Sequence, residues 1–140
     1  MSDPHPSTTA GEPTILVVED EASVRKLVEF VLVSSGYRVT CANDGIEGLT
    51  TFAKHRHSLS LVITDLQMPR LGGAELIGVI RKENRNILIV VASGYLDEAS
   101  LAELKKRDVA GFLHKPFTVT QLVKTISDVS ARRKDPGPMQ

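Results

Sequence analysis

The chain has 140 residues, 41% hydrophobic and 24% charged, and its 17 basic and 17 acidic residues cancel to a formal charge of +0. One domain of this size buries roughly 68–70% of its unfolded surface, enough to stand without a disulfide or metal staple. Zero net charge argues against nucleic acid or an anionic membrane as partner, no run approaches the ~20 apolar residues of a membrane span, and the single cysteine, Cys41, excludes an internal disulfide and suits a reducing cytoplasm.

Met1 to Pro13 carries Pro4, Pro6 and Pro13 among small polar residues and reads as a disordered lead-in. Residues 133–140 read the same way, which leaves 14–132 as the domain. Thr14 to Val18 is a short β-branched run that ends at acidic residues, as a buried strand would. From Ala22 to Ser35, the apolar residues Val24, Leu27, Val28, Val31 and Leu32 recur at helical spacing, and Gly36 supplies a stop. Tyr37 to Ala42 alternates in the manner of an edge strand. Asp44 to His55 predicts a second helix capped by Asn43 or Asp44.

The cycle repeats with a strand ending in Thr64-Asp65, a helix over Gly73 to Asn84, and the strong strand Ile87 to Ala92. Asp97 to Asp108 predicts a helix with a thin apolar stripe of Leu101 and Leu104. A short strand, Ala110 to Leu113, leads to a last helix opened by Thr118 and Gln121 at capping-box spacing, with Val119, Leu122, Val123, Ile126 and Val129 expected to be buried. Strands alternating with helices call for an α/β fold, a doubly wound parallel sheet covered on both faces. Such sheets bind ligands beyond the carboxyl ends of their strands, at the switch point in strand order.

The chemistry-bearing residues fall at those ends. In a 2-1-3-4-5 order the first and third strands are neighbours, so Glu19, Asp20 and Asp65 converge. Two like charges ~4 Å apart cost about 4 kcal/mol at an effective dielectric of ~20, and a whole domain is stable by only about 5–15 kcal/mol. The cluster must therefore bind a cation, share a proton or splay. Hard oxygen donors without His or Cys favour Mg²⁺ or Mn²⁺. Singly, each acid reads as well as a helix cap, Ser93 as a turn residue and Lys115 as a solvated cation. Together they form what a phosphoryl group on Asp65 requires: a nucleophilic carboxylate, cations to neutralise its oxygens, and a hydroxyl donor.

At this point the sequence resembles the receiver domain of two-component response regulators, from about Thr14 to Ala131. The resemblance rests on Ile15 to Glu21, Leu61 to Pro69, Gly72-Gly73, Ala92-Ser93-Gly94 and Lys115-Pro116-Phe117. It implies a flavodoxin-like, receiver-like three-layer sandwich with sheet order 2-1-3-4-5. It also implies a phosphorylation-activated switch in which Asp65 takes a phosphoryl group from a sensor histidine kinase, a phosphotransfer domain or a small donor such as acetyl phosphate. Glu19, Asp20, Asp65 and the backbone carbonyl of Gln67 would hold Mg²⁺. Lys115 and Ser93 would stabilise the phosphoryl group, Ser93 and Phe112 would form the switch pair, and the bond before Pro116 would be cis. Gln67 and Tyr95 occupy the positions that tune loss of the phosphoryl group. The sequence departs from the commonest pattern at Glu19, Ser93 and Phe112, where Asp, Thr and Tyr are more frequent.

A receiver catalyses only its own phosphorylation and dephosphorylation, so a conventional enzyme is not expected. A magnesium-dependent phosphohydrolase of the haloacid-dehalogenase type would need a second Asp where Gln67 stands. A dinucleotide or flavin carrier would need a glycine-rich loop where Glu19-Asp20-Glu21 stands. An unphosphorylated pseudo-receiver is the remaining alternative. Too few residues follow the last helix for an output domain, so the downstream target lies outside this chain, whether the chain acts alone or within a longer regulator; a homodimer is left open. The Asp97 helix, the Phe112 strand and the last helix form the output face by analogy. Lys105-Lys106-Arg107 and Arg132-Arg133-Lys134 read as solvated helix ends rather than a nucleic-acid surface. Cys41 reads as a small core residue, and His55 and His57 as surface residues without ligand partners.

Overall fold

The computed structural model describes residues 11–134; the tail residues expected at 1–10 and 135–140 lie outside the described residues. The elements run β1 (Ile15–Val18), α1 (Ala22–Ser34), β2 (Val39–Ala42), α2 (Gly45–Lys54), β3 (Leu61–Thr64), α3 (Gly73–Glu83), β4 (Leu88–Ser93), α4 (Glu98–Lys106), β5 (Gly111–His114) and α5 (Val119–Lys134). All paired strands are parallel, in the order β2-β1-β3-β4-β5. This is the flavodoxin-like order that the resemblance implies.

Burial on both faces explains why the strands lack a polar alternation. Along β1, Ile15 and Val17 join a core with Ile63, Val90, Leu113 and the apolar stripes of α1 and α5. The intervening Leu16 and Val18 point the other way, into a second core with Val62, Ile89, Val91 and residues of α2, α3 and α4. Successive strand side chains alternate faces, so a continuous apolar run is what a two-faced sheet demands. Cys41, on the edge strand β2, is half-buried against the first core. Burial, followed by the nearby Glu29 carboxylate, pushes its thiol up to about 12.

The helix starts follow the capping chemistry. Asp44 rather than Asn43 caps α2, its carboxylate accepting from the Glu47 amide at 2.8 Å. Asp97 caps α4 through the Ser100 amide at 2.7 Å. At the start of α5, Thr118 and Gln121 hydrogen-bond reciprocally at 3.0 and 2.8 Å, as their spacing predicts.

Two expectations need correction. The buried stripe of α5 is Leu122, Ile126 and Val129, whereas Val119 and Val123 are 49% and 37% exposed. Val123 is turned about 100° from Leu122 by the helix itself and so leaves the stripe. His55 is not a free surface residue: its side chain is 18% exposed and its Nδ1 lies 3.1 Å from Glu12 Oε1. Glu12 also accepts from Arg38 Nε at 2.8 Å, and the Pro13 carbonyl accepts from Ser58 Oγ at 2.6 Å. These two lead-in residues are therefore tied to the end of the sheet remote from the acidic cluster.

α4 is fastened unevenly. Leu104 is its one buried side chain. Beyond its last turn, Arg81 of α3 donates to the carbonyls of Arg107 and Asp108 at 2.7 and 3.0 Å. Arg107 returns a bond to the Ala74 carbonyl at 2.7 Å.

Candidate phosphorylation and metal site

Glu19, Asp65 and Lys115 each stand one residue past a strand, and their backbones continue the ladder. The Glu19 amide bonds the Ala42 carbonyl at 3.1 Å, the Asp65 amide the Val18 carbonyl at 3.2 Å, and the Lys115 amide the Ser93 carbonyl at 2.9 Å. Rigid backbone thus aims three charged side chains into one crevice. Glu19 and Asp65 are buried and Asp20 is exposed.

The carboxylates of Glu19, Asp20 and Asp65 each offer an oxygen within 4.8 Å of the others. Lys115 Nζ lies 2.7 Å from Glu19 Oε1 and 2.8 Å from Asp65 Oδ2. The cluster thus already gathers one cation from within the chain. Burial, chiefly, lifts the Glu19 carboxyl above its ordinary value, against the pull of its bonds to Lys115 and the Glu21 amide. Burial pulls the Lys115 ammonium down, but its bonds to Asp65 and Glu19 more than offset that and hold it above the ordinary lysine value. A set of hard oxygens that draws an ammonium so close fits a small divalent cation, and the Mg²⁺ expected from the sequence matches the site.

The loop after β3 is packed to the limit around Asp65. A Cβ on Gly73 would come within 2.0 Å of the Asp65 carbonyl oxygen, so only glycine lets α3 start there. The Thr64 hydroxyl donates to that same carbonyl at 2.8 Å. The Gln67 amide donates to Asp65 Oδ1 at 3.1 Å, while its side chain is exposed.

Ser93 is buried but engaged within its own turn: its hydroxyl is 3.1 Å from the Tyr95 carbonyl and 3.3 Å from the Tyr95 amide. Phe112 is half-buried against the α2–α3–α4 core. It lies opposite Val91 in the β4–β5 register, and Ser93, two residues on from Val91, shares its face. Tyr95 is 63% exposed and, with Gln67, lines a cavity of about 420 Å³ that extends along α3 and α4 past Ala74, Ala99 and Leu104. The Lys115–Pro116 bond is cis.

Sequence reasoning missed Arg25, which donates from α1 to the Glu19 carbonyl at 2.9 Å. Its position six residues beyond Glu19, on the first turn of a helix, was a usable signal. It also missed that Asp44, besides capping α2, pairs with Arg70.

Comparison with known proteins settles the family. Residues 15–127 match the response regulator receiver domain. The chain belongs to the receiver-domain family. A receiver structure from Clostridium thermocellum superposes with a TM-score of 0.80 at 30% identity, covering 87% of this chain and 97% of that one. Sensor kinase CckA of Brucella abortus is 34% identical over 120 residues, which is 86% of this chain but 13% of the kinase. A probable transcriptional regulator, ycf27 of Porphyridium aerugineum, is 38% identical over 120 residues, or 84% of this chain and 48% of the regulator. The chain thus spans less than half the length of these two curated relatives. As a receiver, the domain signals by Mg²⁺-dependent phosphorylation of an aspartate and catalyses no reaction beyond its own phosphorylation and dephosphorylation. No helix among the described residues is long and apolar enough to cross a membrane.

Proposed function

We propose that Asp65 is the phosphoacceptor and that a sensor histidine kinase or a phosphotransfer domain is its donor. The observation that carries this reading is the placement of Asp65 Oδ2 within 2.8 Å of Lys115 Nζ, inside the acidic cluster. Glu19, Asp20, Asp65 and the Gln67 carbonyl would hold Mg²⁺ or Mn²⁺, which when bound neutralises charge on the phosphoryl oxygens. Asp65 attacks the phosphorus of a phosphohistidine or acetyl phosphate; the new O–P bond forms as the donor's N–P or O–P bond breaks, and the donor leaves with its bonding pair. Lys115 then moves its hydrogen bond from the carboxylate to a phosphoryl oxygen.

Ser93 is the second donor to that phosphoryl group. To reach it, the hydroxyl exchanges its bonds within the Tyr95 turn for one to the phosphoryl oxygen, and Phe112, on the same face, takes the space released. Phosphorylation thereby biases a two-state element. The output is binding to a downstream protein, or to an output domain outside this chain, through α4, β5 and α5. A cytoplasmic location fits this reading, because a sensor histidine kinase or phosphotransfer domain would meet Asp65 there.

Intact-protein mass spectrometry after incubation with acetyl phosphate and Mg²⁺ tests the assignment. One phosphoryl adduct is expected, absent from Asp65→Asn and from the wild type treated with a chelator. An adduct that survives in Asp65→Asn would place the phosphoacceptor elsewhere. No adduct from either acetyl phosphate or a phosphohistidine donor would make the domain a pseudo-receiver.

A further inference from the structure

We infer that the ion pair between Asp44 and Arg70 is a positioning strut that holds the β3–α3 loop against the acidic cluster. The inference rests on the receiver reading and names two residues that touch neither the cation nor the phosphoryl group.

The first observation is the anchor. Asp44 is buried at 7% exposure even though it carries charge. One of its carboxylate oxygens caps α2 through the Glu47 amide at 2.8 Å, and Glu47 in turn accepts from the Asn43 amide at 2.6 Å. The other oxygen receives the Arg70 guanidinium. Anchored twice, this carboxylate is held below its ordinary value, first by the Glu47 amide and then by Arg70.

The second observation is what the strut restrains. Arg70 has a φ of 71°, and the Leu71 amide bonds back to the Pro69 carbonyl at 2.8 Å, closing a three-residue γ-turn. A non-glycine residue in that region is strained and persists only where its surroundings hold it. Among the described residues, the bond to Asp44 is the one hydrogen bond that joins Pro69, Arg70 or Leu71 to another element. The loop is also pressed onto α2: a Cβ on Gly45 would fall 2.2 Å from the Leu71 carbonyl oxygen.

The third observation is where the loop leads. It starts at Asp65, and the Gln67 amide is bonded to Asp65 Oδ1 at 3.1 Å. Two residues, Met68 and Pro69, separate the Gln67 carbonyl from Arg70. Without the bond to α2 the turn is free to move, and the Gln67 carbonyl is no longer held where it would serve the cation. The strut therefore acts on cation affinity through the backbone, with every ligand side chain intact.

Calorimetric titration of the whole chain with Mg²⁺ alone tests this. Arg70→Ala is expected to weaken affinity about tenfold, at the lower end of losses seen when outer partners of metal ligands are removed. Asp44→Asn keeps an oxygen for the helix cap and is expected to weaken affinity similarly. The double variant should be no worse than the weaker single, and Arg70→Lys should recover part of the loss. Arg70→Gly separates positioning from folding: it removes the ion pair but suits a positive φ, so the expected result is unchanged or higher thermal stability with weakened Mg²⁺ binding. If wild type binds Mg²⁺ and Arg70→Gly binds it equally, the strut is overturned while the receiver reading stands. If wild type gives no Mg²⁺ isotherm, the reading falls and takes the strut with it.

Discussion

Lys115 reaches Glu19 as closely as it reaches Asp65, at 2.7 and 2.8 Å. The ammonium therefore competes with an added cation for the same oxygens, and the longer arm of Glu19 makes the competition closer. Removing one positive charge from a cluster of three carboxylates raises its attraction for Mg²⁺, since unit charges ~4 Å apart interact by about 4 kcal/mol at an effective dielectric of ~20. Lys115→Ala is expected to bind Mg²⁺ about tenfold more tightly by calorimetry, yet to accumulate less phosphorylated protein from acetyl phosphate. Equal affinity in the two proteins would mean that the ammonium does not occupy the cation's place.

Tyr95 stands at the mouth of the cavity it shares with Gln67, with most of its surface exposed. A ring that shielded a phosphoryl group on Asp65 from water would slow its loss. The phosphorylated Tyr95→Ala variant is expected to lose its phosphoryl group several-fold faster than wild type, followed by the decay of the mass adduct after donor removal. Equal decay rates would remove any shielding role.

The glycines near the site make opposite predictions. Gly73→Ala forces a Cβ to 2.0 Å from a backbone oxygen, whereas a Cβ on Gly94 meets nothing within 4 Å. Overpacking of rigid backbone costs about 1–3 kcal/mol or more, which lowers Tm by roughly 5–15 °C in a domain of this size. Gly94→Ala is expected to leave Tm unchanged or raise it slightly by restricting the unfolded chain. Thermal melts of the two variants beside wild type check both expectations.

The cap of α4 gives a pH signature. Hydrogen bonding from the Ser100 backbone, then its side chain, holds the Asp97 carboxyl below its ordinary value. A folded-state value below the unfolded one means the contribution is complete above about 3.9 and is lost as pH falls through the folded value. Asp97→Ala is therefore expected to lower the urea midpoint at pH 7, with the difference from wild type shrinking as pH falls below the carboxylate range. A constant difference down to pH 2.5 would show that the charge on Asp97 contributes nothing.

The features legible in the sequence were those set by local pattern. Strands buried on both faces show as unbroken runs such as Ile89-Val90-Val91, and acids at strand ends show against that apolar background. The Thr118–Gln121 box was legible because its geometry is fixed by spacing alone. What escaped depends on where loops travel. Arg70 could point anywhere from a loop, and only the folded path sets its guanidinium beside Asp44. Val123 shows the complementary failure: its apolar character says nothing of which flank of α5 it occupies, and 37% of it meets solvent.

The uneven fastening of α4 turns it into a lever. Its carboxyl end is the fulcrum, pinned by Arg81 and Arg107 to α3. Its amino end hangs beside the cavity under Tyr95, joined to Ser93 by a short loop. A rise of 1.5 Å per residue gives an arm of roughly 13 Å for its nine residues. A small pull on Ser93 would therefore swing Glu98 and Ala99 furthest and Lys106 least. A partner that distinguishes the two states gains most by gripping the first turn, and one that grips the last turn binds both alike.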